Sequence, residues 1–272
     1  MLKVYFVSDH TGVTAEMLGR SLLSRFDDLE ARLVTRSFID SVEKAQLLVE
    51  EISNGEQPSL VVSSISLVEV RNQIERSEAL VLDLFGAFLE PLASFLDREP
   101  HQRIGSFHGL RNIARYQERI DAVEFALGTD DGLGTNNYDK ADVILVGISR
   151  VGKTPTCLYL AMHYGLYAAN YPLADEDFEK HDLPMPLRPH RARLYGLTID
   201  PVRLRQIREA RRGGSEYSSL RRCRFEVARA ESLFRLVGLA HTSTTVLSVE
   251  EIAAGLMQDE RLELKRGRTR EL

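Results

Sequence analysis

With 272 residues the chain is long enough for two domains of ordinary size, and its 28% charged and 43% hydrophobic content is that of a globular protein. A formal net charge of −5 argues against general nucleic-acid binding, and no apolar run approaches the roughly 20 residues of a membrane span. The start Met1–Val7 is too short for a secretory leader, so a cytoplasmic location is expected.

The first half alternates strand-like and helix-like segments. Lys3–Val7 is apolar and β-prone, and Thr14–Phe26 carries apolar residues at helical spacing. A second strand is expected at Leu33–Ile39 with a helix at Val42–Ile52, and a third at Leu60–Ile65 with a helix reaching Arg76. Ala79–Phe85 reads as a fourth strand and Phe88–Leu96 as its helix. Strands alternating with helices predict a doubly wound parallel sheet over residues 1–105. Residues 106–139 then hold a connecting helix, Arg111–Leu127, and the turn Asp130-Asp131-Gly132-Leu133-Gly134.

The second half begins with a buried strand, Asp142–Val146, and runs into Gly147-Ile148-Ser149-Arg150-Val151-Gly152-Lys153-Thr154. This is G-x-x-x-x-G-K-T without a mismatch. A helix follows, from Pro155 to Tyr164, and stops at Gly165. Strand, glycine loop, helix is the setting of a phosphate-binding P-loop. Gly147 and Gly152 let the backbone wrap a phosphate, Lys153 reaches the terminal phosphates, and Thr154 offers its hydroxyl to Mg²⁺. Further strands are expected at Tyr167–Tyr171 and Leu194–Ile199, with a proline-punctuated loop between them. Helices are expected at Pro201–Arg212, Ser219–Leu236 and Val249–Met257. Residues 140–260 are thus a P-loop kinase-like α/β domain, and 261–272 a charged, frayed tail. No internal repeat is evident.

Other residues invite chemistry or have an architectural alternative. Ser8-Asp9-His10-Thr11-Gly12-Val13-Thr14-Ala15-Glu16 lies at the carboxyl end of the first strand, where open α/β sheets bind ligands. It reads equally as a second phosphate site or as a helix cap made by Thr11 or Thr14, with Asp9 in the turn. Asp200 closes a strand near the P-loop and could assist Mg²⁺ or a water, or cap the helix that begins at Pro201. Asp130 and Asp131 suit a general base or metal ligand as well as they suit a turn. Between Arg188 and Arg229 stand 12 arginines and no lysine. Of these Arg203, Arg208, Arg211 and Arg212 share one helix and suit a lid over phosphates. His10 and His108 lack a partner spacing for metal. Cys157 and Cys223 lack metal or redox spacing and fit a reducing compartment as buried apolar residues.

Ser8-Asp9, Thr11–Glu16, Asp130-Asp131-Gly132, Gly147–Pro155, Ala168–Leu173, and Gly196–Pro201 followed by Arg203-Leu204 and Ile207-Arg208 together resemble the bacterial phosphoenolpyruvate synthase regulatory proteins. The regulators of pyruvate, phosphate dikinase share most of these motifs, and Arg221–Ala228 looks more like the synthase branch. The resemblance implies a bifunctional serine/threonine kinase and phosphorylase. Its donor is ADP, whose β-phosphoryl goes to a threonine of the target. Its reverse regulatory reaction uses inorganic phosphate and releases pyrophosphate. The ADP loop carries over onto Gly147–Thr154, with Val151 where relatives usually have a small residue; His10 and Gly12 also depart from the common pattern. On this reading Lys153, Arg150 and a Mg²⁺ on Thr154 neutralise the transferring group, Asp131 or Asp200 is the base, and phosphoenolpyruvate synthase is the partner. A homodimeric state is left open. A metabolite kinase using ATP and a nucleotide-gated binding module are the alternatives; no Asn-Lys-x-Asp string supports a GTPase.

Overall fold

Apolar stretches that alternate with helices fold into two separate four-stranded parallel sheets, one in each of two compact units, Met1–Gly109 and Leu110–Leu272. The computed structural model describes residues 1–55, 58–100, 113–179, 182–212, 214–259 and 262. His108, the start of the helix expected from Arg111, Gly213 and the tail apart from Leu262 lie outside these. The expected α/β class with parallel sheets holds.

In the first unit the chain order is β1 (Leu2–Val7), α1 (Val13–Leu23), β2 (Ala31–Arg36), α2 (Val42–Ser53), β3 (Ser59–Ser63), α3 (Val68–Ile74), β4 (Leu80–Asp83) and α4 (Leu84–Leu96). The sheet order is β2-β1-β3-β4. Its central strands are apolar on both faces. Tyr5, Val7 and Val61 pack with Leu48 and Ile52 of α2 and Ile74 of α3, whereas Val4, Phe6, Leu60 and Val62 pack with Ala15 of α1 and Leu84 of α4. Several expected boundaries move: the first helix ends at Leu23 rather than Phe26, the third strand at Ser63 rather than Ile65 and its helix at Ile74 rather than Arg76, and two further shifts have a visible cause. β2 starts earlier and ends at Arg36, because Phe38 takes a left-handed φ of 60° that a strand does not permit. The fourth strand stops at Asp83, whose carboxylate accepts the Phe85 N–H at 3.1 Å and starts α4 at once.

The second unit runs α5 (Ile113–Gly128), β5 (Val143–Gly147), α6 (Lys153–Tyr164), β6 (Ala168–Pro172), α7 (Asp175–Phe178), β7 (Leu194–Thr198), α8 (Pro201–Arg212), α9 (Leu220–Val237), β8 (His241–Ser243) and α10 (Val249–Leu256). Its sheet order is β6-β5-β7-β8. The short polar strand β8 is not foreseen from sequence; it forms by pairing His241–Ser243 with Gly196–Thr198 of β7. Because the connections from β5 run one way along the sheet and those from β7 the other, right-handed crossovers place α6 and α9 on opposite faces. Ile144, Leu145, Val146 and Leu197 lie buried between them with Leu160, Val227 and Phe234. Among the described residues no helix is long and apolar enough to cross a membrane.

The two sheets share one topology, a repeat of fold that the sequence does not make evident. Each unit's first strand leads through a loop to a helix opened by a left-handed glycine, Gly12 at φ 84° and Gly152 at φ 92°, and neither helix has a side-chain cap. The correspondence runs position for position, with Val13 standing where Lys153 stands and Thr14 where Thr154 stands.

Candidate functional site

β5 and β7 are neighbours whose connections leave in opposite directions, so their carboxyl ends border the crevice where open sheets bind ligands. The glycine loop begins there. A Cβ on Gly147 would lie 2.5 Å from the Leu197 carbonyl oxygen, so only glycine lets the loop leave β5 this close to β7. At its far end Gly152 turns the chain into α6 in a left-handed conformation that suits glycine. Arg150 at the apex also has positive φ, 78°, which costs a residue with a Cβ on the order of 1 kcal/mol.

The backbone hydrogen bonds of the loop are sharply asymmetric. The Gly147 carbonyl accepts from Leu173 N–H (3.0 Å), that of Ile148 from Lys153 Nζ (3.0 Å) and that of Ser149 from Arg208 Nη2 (3.2 Å). The Gly152 carbonyl accepts from the Thr156 N–H and hydroxyl. By contrast, no N–H from Ser149 to Thr154 makes a close, well-aligned hydrogen bond among the described residues, although the turn at Ser149-Arg150 brings the Val151 N–H toward the Ile148 carbonyl. Consecutive free amides opening a 12-residue helix form an anion cradle.

Lys153 completes the cradle from inside the protein, with only 4% of its surface exposed. Burial pushes its amine down to about 8, opposed first by the negative charge of Asp131 and less by Cys157 and Asp130, while Arg150 reinforces the lowering. An amine held this way gains much from a phosphate alongside.

Thr154 donates its hydroxyl to Asp130 Oδ1 at 2.7 Å. Asp130 opens a 3₁₀ turn, Asp130–Gly132, just after α5. The same oxygen accepts from Asn170 Nδ2 (2.5 Å), and Asn170 Oδ1 accepts the Asp131 N–H (3.0 Å). Asn170 is fully buried in β6, so it fixes the turn against the loop. Tyr138, whose phenol burial pushes well above its ordinary range, donates to the Asn170 carbonyl at 2.9 Å. A hydroxyl and a carboxylate held together are hard oxygen donors of the kind Mg²⁺ takes beside P-loop phosphates. Among the described residues there is no cluster of three or more His, Cys, Asp or Glu for a metal, and such a site needs none because phosphates and water supply the other ligands.

The other expected residues fall out as follows. Asp131 is exposed beside the loop at φ 48°, its charge acting on Lys153. Asp200 sits at the same edge of the sheet, after β7, and its Oδ1 accepts the Val202 and Arg203 N–H groups at 2.9 Å each, so the capping role is realised. Arg208 is not a surface lid residue: it is fully buried and bonded to Ser149, Tyr217 and Glu226. Arg203 and Arg211 are exposed, and the Arg212 side chain lies outside the described residues. Cys157 is buried, donates to the Ala169 carbonyl and has its thiol pushed up by burial. Asn170, Tyr217 and Glu226 were not foreseen as site residues. Only Asn170 carries a local signal, as a lone amide in an apolar strand.

In the first unit neither Thr11 nor Thr14 caps α1; Gly12 occupies that position. Asp9 is buried and accepts from the Ser66 N–H (2.6 Å) and the Ser66 hydroxyl, tying the end of β1 to the segment after β3.

A kinase/pyrophosphorylase family model matches residues 4–257. A protein of Pseudomonas savastanoi pv. phaseolicola is 45% identical over 263 residues, covering 95% of this chain and 97% of its own. One from Pseudomonas fluorescens Pf-5 is 46% identical over 264 residues with the same coverage, and one from Pseudomonas aeruginosa PAO1 44% over 264, covering 95% and 96%. All three are provisionally named phosphoenolpyruvate synthase regulatory proteins. The chain belongs to the kinase/pyrophosphorylase family.

Proposed function

We propose that this protein is a cytoplasmic bifunctional regulator of phosphoenolpyruvate synthase, transferring the β-phosphoryl of ADP to a threonine of that enzyme and removing it with inorganic phosphate. The observation that carries this reading is the Gly147–Thr154 loop with its free amides, buried Lys153 and Thr154–Asp130 pair. In the first reaction the threonine oxygen bonds to the β-phosphorus, the bond to the bridging oxygen of AMP breaks, and the threonine proton passes to a base. In the second, phosphate oxygen attacks the phosphothreonine phosphorus, pyrophosphate forms, and the threonine oxygen leaves and regains its proton. Both reactions need one cradle for a pair of linked phosphates, which supports a shared site.

The residues divide the work. The amides of Ser149–Thr154 orient the phosphates, and Lys153 and Arg150 offset the charge that spreads over the transferring group. Thr154 and Asp130 would hold Mg²⁺, which supplies further charge neutralisation. Asp131 is the better base: it is exposed beside the loop, whereas Asp200 uses a carboxylate oxygen to cap α8. The test is to incubate the protein, Mg²⁺ and phosphoenolpyruvate synthase with β-labelled ADP or γ-labelled ATP and follow label on a synthase threonine. Label from ADP and none from ATP is expected. Label from neither, with pyruvate, phosphate dikinase also unlabelled, would overturn the assignment in favour of a metabolite kinase.

A further inference from the structure

An anion loop works only if its carbonyls are turned away from the ligand while its amides face it, and a carbonyl turned into the fold then needs a partner there. The Gly147 and Gly152 carbonyls have backbone N–H partners, from β6's exit and from α6 itself. The Ile148 carbonyl is held by Lys153, which is the residue drawn to phosphate. The Ser149 carbonyl, next to the strained apex Arg150, is held by a side chain from elsewhere in the fold.

That side chain is Arg208 of α8. Its surface is fully covered; Nη2 donates to the Ser149 carbonyl (3.2 Å) and to Glu226 Oε2 of α9 (2.6 Å), and Nη1 donates to the Tyr217 carbonyl (3.0 Å). The guanidinium lies over the Tyr217 ring, 4.0 Å from its centre, and the Tyr217 hydroxyl is 2.9 Å from Ser149 Oγ. Glu226 is in turn held by Arg222, which also pairs with Asp175 of α7. Burying a guanidinium and a carboxylate gains little for stability compared with apolar packing, so the pair calls for another reason. A planar fork that spans three acceptors at fixed angles supplies one.

We propose that Arg208, oriented by Glu226, is a positioning residue that holds the Ser149 carbonyl outward and so sets the amides of the loop toward phosphate. It touches no substrate and acts through the backbone it grips. The inference rests on the loop being a phosphate cradle, but its effect on the loop does not depend on any ligand.

Two variants, Arg208→Lys and Glu226→Gln, test it, with Arg205→Lys on the exposed side of the same helix as control. Lysine keeps the charge without the fork; glutamine keeps the shape without the charge. In the ligand-free protein, ¹⁵N relaxation should show the amides of Ser149–Gly152 more mobile in both variants and unchanged in the control. The dissociation constant for pyrophosphate with Mg²⁺ should rise about tenfold or more, the scale of one hydrogen bond to a charged group. A folded variant with a lowered melting temperature, a loop as rigid as before and unchanged pyrophosphate affinity would overturn the proposal. Should Arg208→Lys fail to fold, Glu226→Gln decides alone. A wild-type protein that binds neither pyrophosphate nor ADP, with a loop that loosens in the variants, would sink the nucleotide reading and leave the clamp standing.

Discussion

In the proposed reaction Lys153 is the residue on which stability and function pull apart. Its amine titrates at about 8 in the folded protein against 10.5 when free, because burial disfavours the charge. Below pH 8 it is charged in both folded and unfolded chains and the burial penalty is present in full, roughly 3 kcal/mol by linkage. Between pH 8 and 10.5 the unfolded chain binds more protons than the folded one, so this penalty shrinks as pH rises. Lys153→Met is therefore expected to exceed wild type in stability by up to about 3 kcal/mol at pH 7, with the gap closing by pH 10.5. Denaturant unfolding at several pH values checks it; a gap independent of pH would contradict the burial argument. Arg150 shows the same conflict on a smaller scale. Arg150→Gly should relieve its left-handed φ and raise stability by about 1 kcal/mol, while the loss of the apex charge lowers phosphoryl transfer; thermal unfolding and the labelled-ADP assay measure the two effects. Lys153, Thr154 and the two glycines were legible from sequence because their spacing is local. Asp130 was legible only as one of three candidate acids. Its pairing with Thr154 depends on Asn170, 40 positions away in the chain, and no local pattern contains that contact.

The strand–loop–helix element of β5, Gly147–Gly152 and α6 explains why the loop must start with glycine. In Gly147→Ala the new methyl meets the Leu197 carbonyl of a neighbouring strand, which cannot yield without disturbing the sheet. The expected result is a loss of about 2 kcal/mol or more together with weakened nucleotide binding, measured by unfolding and calorimetry. An alanine variant as stable as wild type would show that β5 and β7 are not so closely apposed. At this scale most elements could be read from sequence, since apolar runs bounded by glycine, proline and aspartate specify strands and their helices directly. The exceptions have physical causes. β8 is three residues of His, Thr and Ser that pair only because β7 presents an edge, and the fourth strand loses its last residues to the cap made by Asp83. From sequence Arg208 reads as one of four arginines on one helix suited to a lid over phosphates; its burial follows from the packing of α8 on α9, which periodicity alone does not give.

Across the whole chain, two units with the same strand order offer two glycine-opened helices, and chemistry separates them. The second unit's loop has Lys153 and a carboxylate on its threonine; the first has Val13 in the lysine's place and uses Asp9 to bind Ser66. These differences favour the second unit for the proposed phosphate cradle, and the proposal that it serves both directions of the regulatory reaction can be put to a direct test. Wild type and Lys153→Ala would be assayed side by side on phosphoenolpyruvate synthase, following label incorporated from β-labelled ADP and pyrophosphate released from the phosphorylated synthase by phosphate. Loss of both activities in the variant, with its fold intact, is the predicted result. Loss of the ADP-dependent transfer with phosphate-dependent release preserved would contradict a single cradle.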